Sequence, residues 1–187
     1  NTFFVSSLSP VATPWIDLAR NGFSRSKFSI EPGLIRGNNT TIKLCPGAST
    51  TITSNVIGSN YQWQVDTGSG FTNISNNSYY AGSNNAILQL NSPPSSMNGY
   101  QYRCVVDGTN SNTTRIKFVS YWTGSVSSAW EDPGNWVCHV VPDAGADVIL
   151  YDGDTVIVNS TATCRTIVVN PGASLTIKPG FTLTVTN

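Results

Sequence analysis

A short repeat near the end of the sequence restricts what the chain can fold into. Residues 171–177 read Pro-Gly-Ala-Ser-Leu-Thr-Ile, and residues 179–185 read Pro-Gly-Phe-Thr-Leu-Thr-Val, so the pattern recurs after eight positions. Each copy joins a Pro-Gly turn to a stretch in which Leu, Ile or Val alternates with Thr, which is typical of a β-strand with one buried face. This repetition predicts either a hairpin or the rungs of a β-solenoid.

The composition of the whole chain also favours β-structure. Of 187 residues, 39% are apolar and 10% aromatic, and only 11% are charged. Ten Lys and Arg balance ten Asp and Glu, whereas proteins that bind nucleic acid or membrane surfaces usually carry a basic surplus. No apolar run approaches the roughly 20 residues needed to span a bilayer. We therefore predict a folded all-β protein with no nucleic-acid partner and no membrane insertion.

The charges are distributed unevenly along the chain. Residues 1–43 carry five basic and two acidic side chains, residues 44–118 three and two, and residues 119–187 two and six, giving +3, +1 and −4. Opposite charge at the two ends would favour head-to-tail contact between copies, and such contact would weaken with added salt. The alternative is that these charges lie on solvated faces that have no partner.

The cysteine content indicates an oxidising, extracellular location. Four cysteines occur in a chain that is rich in Asn-X-Ser/Thr triplets and poor in Lys, and disulfides persist mainly outside the cytosol. The first residue is Asn1 and no hydrophobic leader follows it, so we expect a mature or excised product whose signal was removed. Four cysteines permit three pairings.

Turn residues and apolar runs divide the chain into three segments. Residues 1–39 begin with the apolar stretch Phe3, Phe4 and Val5 and have too little apolar material to fold alone. They are expected to pack on the next domain or to add as a strand to another molecule, and the third alternative is disorder. Residues 40–119 and 120–187 form the other two segments. Alternating runs predict strands at 41–44, 49–53, 61–65, 87–90, 100–106, 114–119, 147–151, 155–158, 165–169, 174–177 and 182–185.

The middle segment resembles an immunoglobulin-like domain. The resemblance depends on Cys45, on Trp63 within Tyr-Gln-Trp-Gln, and on Tyr102 two residues before Cys104. With Leu44-Cys45-Pro46-Gly47-Ala48-Ser49 before the Tyr-Gln-Trp-Gln strand and Gly70-Phe71-Thr72-Asn73-Ile74 after it, the segment also resembles the immunoglobulin-like modules of secreted Bacteroidetes surface proteins. The resemblance implies a β-sandwich with a Cys45–Cys104 bridge, which would pin a sheet edge to the sixth strand, and leaves Cys138 and Cys164 as the remaining pair.

The last segment resembles a second module of Bacteroidetes secreted proteins. It opens with Trp122-Thr123-Gly124, continues through Gly134-Asn135-Trp136, and has a Cys-x-x-Ile from Cys164 followed by Gly-Ala-x-Leu-x-Ile. The resemblance implies a β-solenoid-like domain that often leads to a type IX secretion signal, which this sequence lacks.

Residues suited to catalysis are few. His139 is the only histidine, and no nucleophile elbow accompanies it. Paired carboxylates for glycoside hydrolysis are limited to Glu131 with Asp132 and Asp152 with Asp154. Neighbours on a strand point to opposite faces, and Asp-Gly at 152–153 is a hairpin signal. We expect no enzyme and no cofactor.

Two kinds of ligand remain open on the sequence alone. Calcium has only weak candidate ligands, and no EF-hand or calcium-binding repeat is present; these ligands are Asp143, Asp147, Asp152 and Asp154. Exposed tryptophan rings stack on sugars, so the tryptophans of the last segment either bind glycans or pack in the core. They are Trp122, Trp130 and Trp136.

The sequence thus predicts a non-catalytic extracellular module of a bacterial adhesin, stalk or self-assembling filament. Copies would join head to tail because an open terminal strand is a template for pairing. The residues expected at this contact are Phe3, Phe4 and Val5 of one copy and Thr182, Leu183, Thr184 and Val185 of the next. The alternatives are a carbohydrate-binding module that uses the tryptophans, and a spacer excised from a longer protein.

Overall fold

The computed structural model describes residues 40–186, and this part of the chain is all-β. It contains fifteen strands, two short 3-10 turns at Ser95–Met97 and Pro133–Asn135, and no α-helix. The all-β prediction is confirmed. The strands are β1 Thr40–Leu44, β2 Thr50–Thr53, β3 Tyr61–Asp66, β4 Phe71–Asn73, β5 Tyr80–Ala81, β6 Ile87–Leu90, β7 Gln101–Val106, β8 Thr109–Asn110, β9 Thr114–Tyr121, β10 Asp147–Leu150, β11 Thr155–Val158, β12 Ala162–Cys164, β13 Thr166–Val169, β14 Ser174–Ile177 and β15 Leu183–Val185.

All eleven strands predicted from alternation are present, to within one or two residues at their ends. The four strands that the sequence does not predict are β4, β5, β8 and β12, and each has only two or three residues. Such short strands contain too few positions to show a period of two.

The first core lies between two sheets. β3, β7, β9 and β1 belong to an eight-stranded sheet, whereas β2, β6 and β5 form a separate antiparallel sheet. Trp63 is buried at the centre, and its indole Nε1 donates a 2.9 Å hydrogen bond to the carbonyl of Asn85. Both sheets contribute the buried apolar side chains, which include Ile52, Leu88, Leu90, Tyr102, Val106, Ile116 and Phe118.

The second core lies inside a two-rung parallel stack, where one rung is one circuit of three strands. The first rung is β10, β11 and β12, and each pairs in parallel with β13, β14 or β15 of the second rung. Asp147 pairs with Thr166, and Thr155 with Ser174, in both cases 19 positions further along. Of the two alternatives for the repeat, a hairpin and a solenoid, the structure has the solenoid. β14 and β15, which contain the eight-residue repeat, pair with strands of the first rung and not with each other.

The Asp-Gly turn at 152–153 is a corner of the stack. Asp154 N donates to the Tyr151 carbonyl at 3.0 Å, and the Asp154 carboxylate accepts from Tyr151 N at 2.7 Å. The strands on either side, β10 and β11, belong to different sheets. The turn predicted here is present, but the hairpin prediction is wrong because the chain turns into the next side of the rung.

One continuous strand joins the two cores. The N-terminal part of β9 pairs with β1 and β7, and its last three residues pair with β10. The predicted segment boundary at 119/120 falls inside this strand. Residues 40–186 accordingly lie in one compact unit.

The disulfide connects the two halves. Cys45 is bonded to Cys138, and both Cys104 and Cys164 are free and buried. The expected Cys45–Cys104 bridge, with Cys138 and Cys164 as the other pair, is therefore wrong. The cause is the parallel pairing of β1 with β9, which brings Cys45 just past Phe118 on β9. Val137 N donates to the Tyr121 carbonyl at 3.0 Å, so Cys138 reaches the same edge of β9 from the other direction.

Candidate assembly site

The three tryptophans of the last segment are core residues. Trp130 and Trp136 are fully buried and Trp122 is 7% exposed. Trp136 packs edge-on against both other rings, with ring centroids 4.9 Å from Trp122 and 4.8 Å from Trp130. Its Nε1 donates to the Trp130 carbonyl at 2.7 Å. Of the two alternatives left open for these rings, the structure has them packed in the core.

Asn135 holds the loop that carries these rings. Its side-chain oxygen accepts hydrogen bonds from Val126 N at 2.9 Å and Ser127 N at 2.8 Å, and its amide donates to the Ala129 carbonyl at 2.9 Å. Asn135 is fully buried, and these bonds satisfy it. The Gly-Asn-Trp motif thus has a structural role, because Asn135 fixes the loop that holds Trp130 and Trp136 in the second core.

The four aspartates considered for calcium do not form one ligand group. Asp143 accepts from Ser95 Oγ at 2.7 Å, and Asp154 accepts from Tyr151 N. Asp147 forms ion pairs with Arg165 and Lys117, whereas Asp152 lies exposed in the corner after β10. Within residues 40–186 there is no group of three or more His, Cys, Asp or Glu side chains that could hold a metal ion.

Asp147 is the most strongly held carboxylate of the stack. Burial alone would raise its pKa, but hydrogen bonds from Arg165 and from Thr166 Oγ1, together with the charges of Arg165 and Lys117, outweigh that effect. The pKa of Asp147 is therefore lowered. Because Lys117 is on β9 and Arg165 precedes β13, this carboxylate ties three neighbouring strands of the stack together.

The residues considered for catalysis do not form a constellation. His139 is exposed in a left-handed turn with φ +49°, and its backbone N donates to the Trp136 carbonyl. Glu131 accepts from Asn159 N at 3.4 Å, and Asp132 accepts from Gly134 N at 2.9 Å. Asp132 stabilises its local turn, whereas Glu131 contacts the backbone just after β11.

The second rung leaves the end of the second core uncovered among the described residues. Every inward side chain of the first rung is at most 8% exposed, and these are Val148, Leu150, Val156, Val158, Ala162 and Cys164. The residues stacked on them in register are half-buried or 44–47% exposed. We call these six residues the open face: Ile167, Val169, Leu175, Ile177, Leu183 and Val185.

The open face combines apolar side chains with strand edges. Within residues 40–186, β13, β14 and β15 each pair with a strand on one side only. No acidic residue occurs after Asp154, and Lys178 is the one basic residue after Arg165. Natural proteins usually protect exposed strand edges with charges, and this edge has almost none.

The sequence places two groups of residues at the predicted contact. Leu183 and Val185 are part of the open face, and Thr184 lies between them with its side chain on the outer surface of β15. Thr182 is exposed immediately before the strand. Phe3, Phe4 and Val5 lie outside the described residues. The sequence repeat points to β14 and β15, but β13 lies outside the repeat, so that signal gives only part of the open face.

Comparisons with known proteins add one match. A family described as a domain of unknown function (DUF8693) matches residues 121–187, from the end of β9 through the whole stack. A search of the curated proteins found no match to the chain. Within residues 40–186, no helix has the length and apolar character that a membrane crossing would require.

Proposed function

We propose that this protein is a non-catalytic, extracellular structural module of a bacterial surface adhesin, stalk or filament, and that copies join end to end. The observation that carries the proposal is the open face. Within residues 40–186, no further layer covers the second rung, which therefore exposes both half-buried apolar side chains and strand edges, and such a surface is a template for further strands.

The occupant we propose is the N-terminal segment of a neighbouring copy. Phe3, Phe4 and Val5 form an apolar stretch with the β-propensity needed to extend a sheet edge. A contact between two different surfaces of the same chain does not close on itself, so it generates a linear assembly.

The body of the molecule suits a load-bearing role. The two cores share β9, and the Cys45–Cys138 bond links them covalently. A second junction is formed by Asn98, whose Nδ2 donates to the Gly145 carbonyl at 2.6 Å. A disulfide is stable in an oxidising compartment, and the resemblance of both segments to Bacteroidetes secreted modules also supports a surface location.

The test is self-association of the full chain in analytical ultracentrifugation over a wide concentration range. We expect concentration-dependent oligomers for the native chain and loss of association in Ile177→Asp and in the double variant Phe3→Ser, Phe4→Ser. Ile57→Asp is the matched control, because Ile57 is 93% exposed and lies outside the second rung. A native chain that stays monomeric at all concentrations would overturn the proposal. If Ile177→Asp loses association and the Phe3, Phe4 double variant does not, the open face contacts a surface of the neighbouring copy other than its N-terminal segment.

A further inference from the structure

The basic side chains of the described residues are concentrated on one surface. Lys43 on β1 pairs in register with Lys117 on β9, and Arg115 precedes Lys117 by two positions, so all three point to the same side of the sheet. Arg115 pairs with Gln101 on β7, which places Arg103 on that side too. Arg165 joins them through Asp147, its shared ion-pair partner with Lys117. We call this surface the cationic face; of the six described Lys and Arg, only Lys178 lies elsewhere.

Two carboxylates, Asp147 and Asp66, lie on this side of the sheet and offset part of the charge of its five basic residues. Asp147 is engaged by Arg165 and Lys117. Asp66, at the end of β3, accepts backbone hydrogen bonds from Gly68 at 2.7 Å and Gly70 at 2.9 Å. The other described acidic residues lie in loops and turns outside the strands of this surface. The cationic face therefore retains a positive potential although the net charge of the whole chain is zero.

A cavity of about 270 Å³ opens within the cationic face. It is lined by Thr41, Gln101, Thr113, Arg115 and Lys117. Both ion pairs among residues 40–186 use Asp147, so neither involves Arg115, which is exposed. A guanidinium beside an ammonium, two hydroxyls and an amide matches an anionic group that carries neighbouring hydroxyls, because a guanidinium binds carboxylate or sulfate oxygens in pairs.

Aromatic rings extend the same surface. Tyr121 and Tyr151 stack with ring centroids 5.8 Å apart and 20° between their planes, and Tyr151 is 50% exposed. The Lys43 ammonium lies 5.7 Å from the centre of the Tyr121 ring and donates to its hydroxyl at 3.0 Å. A ring next to a cation gives a stacking surface for the apolar face of a sugar and a charge for its anionic substituent.

We propose that the cationic face binds an acidic polysaccharide, with Arg115 and Lys117 holding a carboxylate or sulfate group and Tyr151 stacking on a sugar ring further along the same polysaccharide. Tyr121, on which Tyr151 stacks, lies four to six residues along β9 from Lys117 and Arg115, roughly 13 to 20 Å away, so the polysaccharide must span several sugar units. The polar, hydroxyl-lined cavity favours a sugar over a nucleic acid, which would require bases to stack on exposed rings along a continuous basic track. This inference does not depend on end-to-end assembly, because the residues of the cationic face and the open face are different.

The test is affinity electrophoresis of the full chain in gels that contain polygalacturonate, dextran sulfate or neutral dextran. We expect retardation by at least one of the two acidic polymers and none by dextran; the polymer that retards the chain identifies the anionic group. Arg115→Gln and Tyr151→Ala should each weaken the apparent affinity at least threefold, and Arg115→Gln with Lys117→Gln at least tenfold. Lys178→Gln is the control that removes an equal charge elsewhere and should bind as the native chain does.

Two further measurements separate a loss of binding from a loss of folding, and a polysaccharide ligand from a nucleic acid. Thermal unfolding of each variant shows whether it is folded; Arg115 is exposed and outside both ion pairs, so Arg115→Gln should unfold at the native temperature. Competition with single-stranded DNA tests the other polyanion. Equal retardation of Arg115→Gln and the native chain, an equal loss in Lys178→Gln, binding to DNA alone, or no retardation by either acidic polymer would overturn the proposal.

Discussion

Ile177 is the in-register neighbour of Val158 in the pairing of β14 with β11, yet Val158 is fully buried and Ile177 is 44% exposed. The same contrast holds for Leu150 and Val169, whose exposures are 0% and 44%. Positions that are equivalent within a rung thus differ only in whether another layer lies over them. Among the described residues, the second rung covers the first, and no further layer covers the second rung.

The exposed apolar side chains of the open face lead to a prediction of how the end-to-end association constant depends on salt. The opposite charges of the chain ends predict a contact that weakens with salt, but the acidic residues after residue 119 all precede β11 and none lies in the second rung. If the open face makes the contact, the association constant should change less than threefold between 50 and 500 mM NaCl, since apolar burial is not screened. Sedimentation at both salt concentrations checks this. A steep fall with salt would assign the contact to charged residues elsewhere.

Removal of the disulfide should lower stability strongly. Cys45 and Cys138 are separated by 93 positions, and closing a loop of that length stabilises a fold by about 4 to 5 kcal/mol in the chain-entropy model. The double variant Cys45→Ser, Cys138→Ser should lose most of this in denaturant unfolding. Cys104→Ser is the comparison, because it leaves the bond intact. Peptide mapping without reduction should yield a single cross-linked pair, and a Cys45–Cys104 peptide would contradict the structure.

The two free thiols should resist modification in the folded protein. Burial, and then the negative charge of Asp147, raises the pKa of Cys164 to about 11, and burial raises the pKa of Cys104. At pH 8 only about one Cys164 in a thousand is a thiolate. A thiol reagent should therefore label neither cysteine in the native chain and both in denaturant. Rapid labelling of either one under native conditions would show that its core opens locally.

Replacement of the buried tryptophans should affect folding. Trp130→Ala removes a fully buried ring and should cost about 3 to 5 kcal/mol of unfolding free energy. Tyr151→Ala, at a half-exposed ring, should cost much less. Denaturant titration of both variants gives the comparison. A Trp130→Ala variant with native stability would mean that the ring is not part of the core.

Asp147 should make stability depend on pH on the acid side. Its pKa in the folded state is below the value of an unfolded aspartate, so its ionised form contributes stability at pH values above about 4. That contribution is lost as the pH falls through the folded-state pKa. The native chain should lose stability between pH 5 and pH 2 more steeply than Asp147→Asn.

Local patterns in the sequence predict the strands well, but not how the strands pair. Alternation of Leu, Ile and Val with Thr identifies β14 and β15, and the spacing of their turns identifies a solenoid as one of two options. The choice between options depends on which distant strand each one meets, and β12, the partner of β15, is too short to show a pattern.

The disulfide illustrates the same limit. The spacing of Cys45, Trp63 and Cys104 matches an immunoglobulin-like domain, and this match makes Cys45–Cys104 the expected bridge. The pairing of Cys45 with Cys138 depends instead on β9 running on past the first core, which makes residues from both halves meet along one of its edges. Burial of the tryptophans likewise depends on a loop that Asn135 closes, and a list of aromatic residues does not reveal that loop.

The Cys45–Cys138 bond also determines the route of a mechanical force through the molecule. When tension enters before Thr40 and leaves after Val185, the covalent path runs from Cys45 directly to Cys138 and omits the 92 residues between them. The strands from β2 to β9 all lie within these omitted residues, so they carry no pull along their backbone. Among the described strands before β10, only β1, which pairs in parallel with β9 over five residues, lies on the covalent path. The first core is thereby shielded, and any lengthening under load is confined to β1 and the two-rung stack.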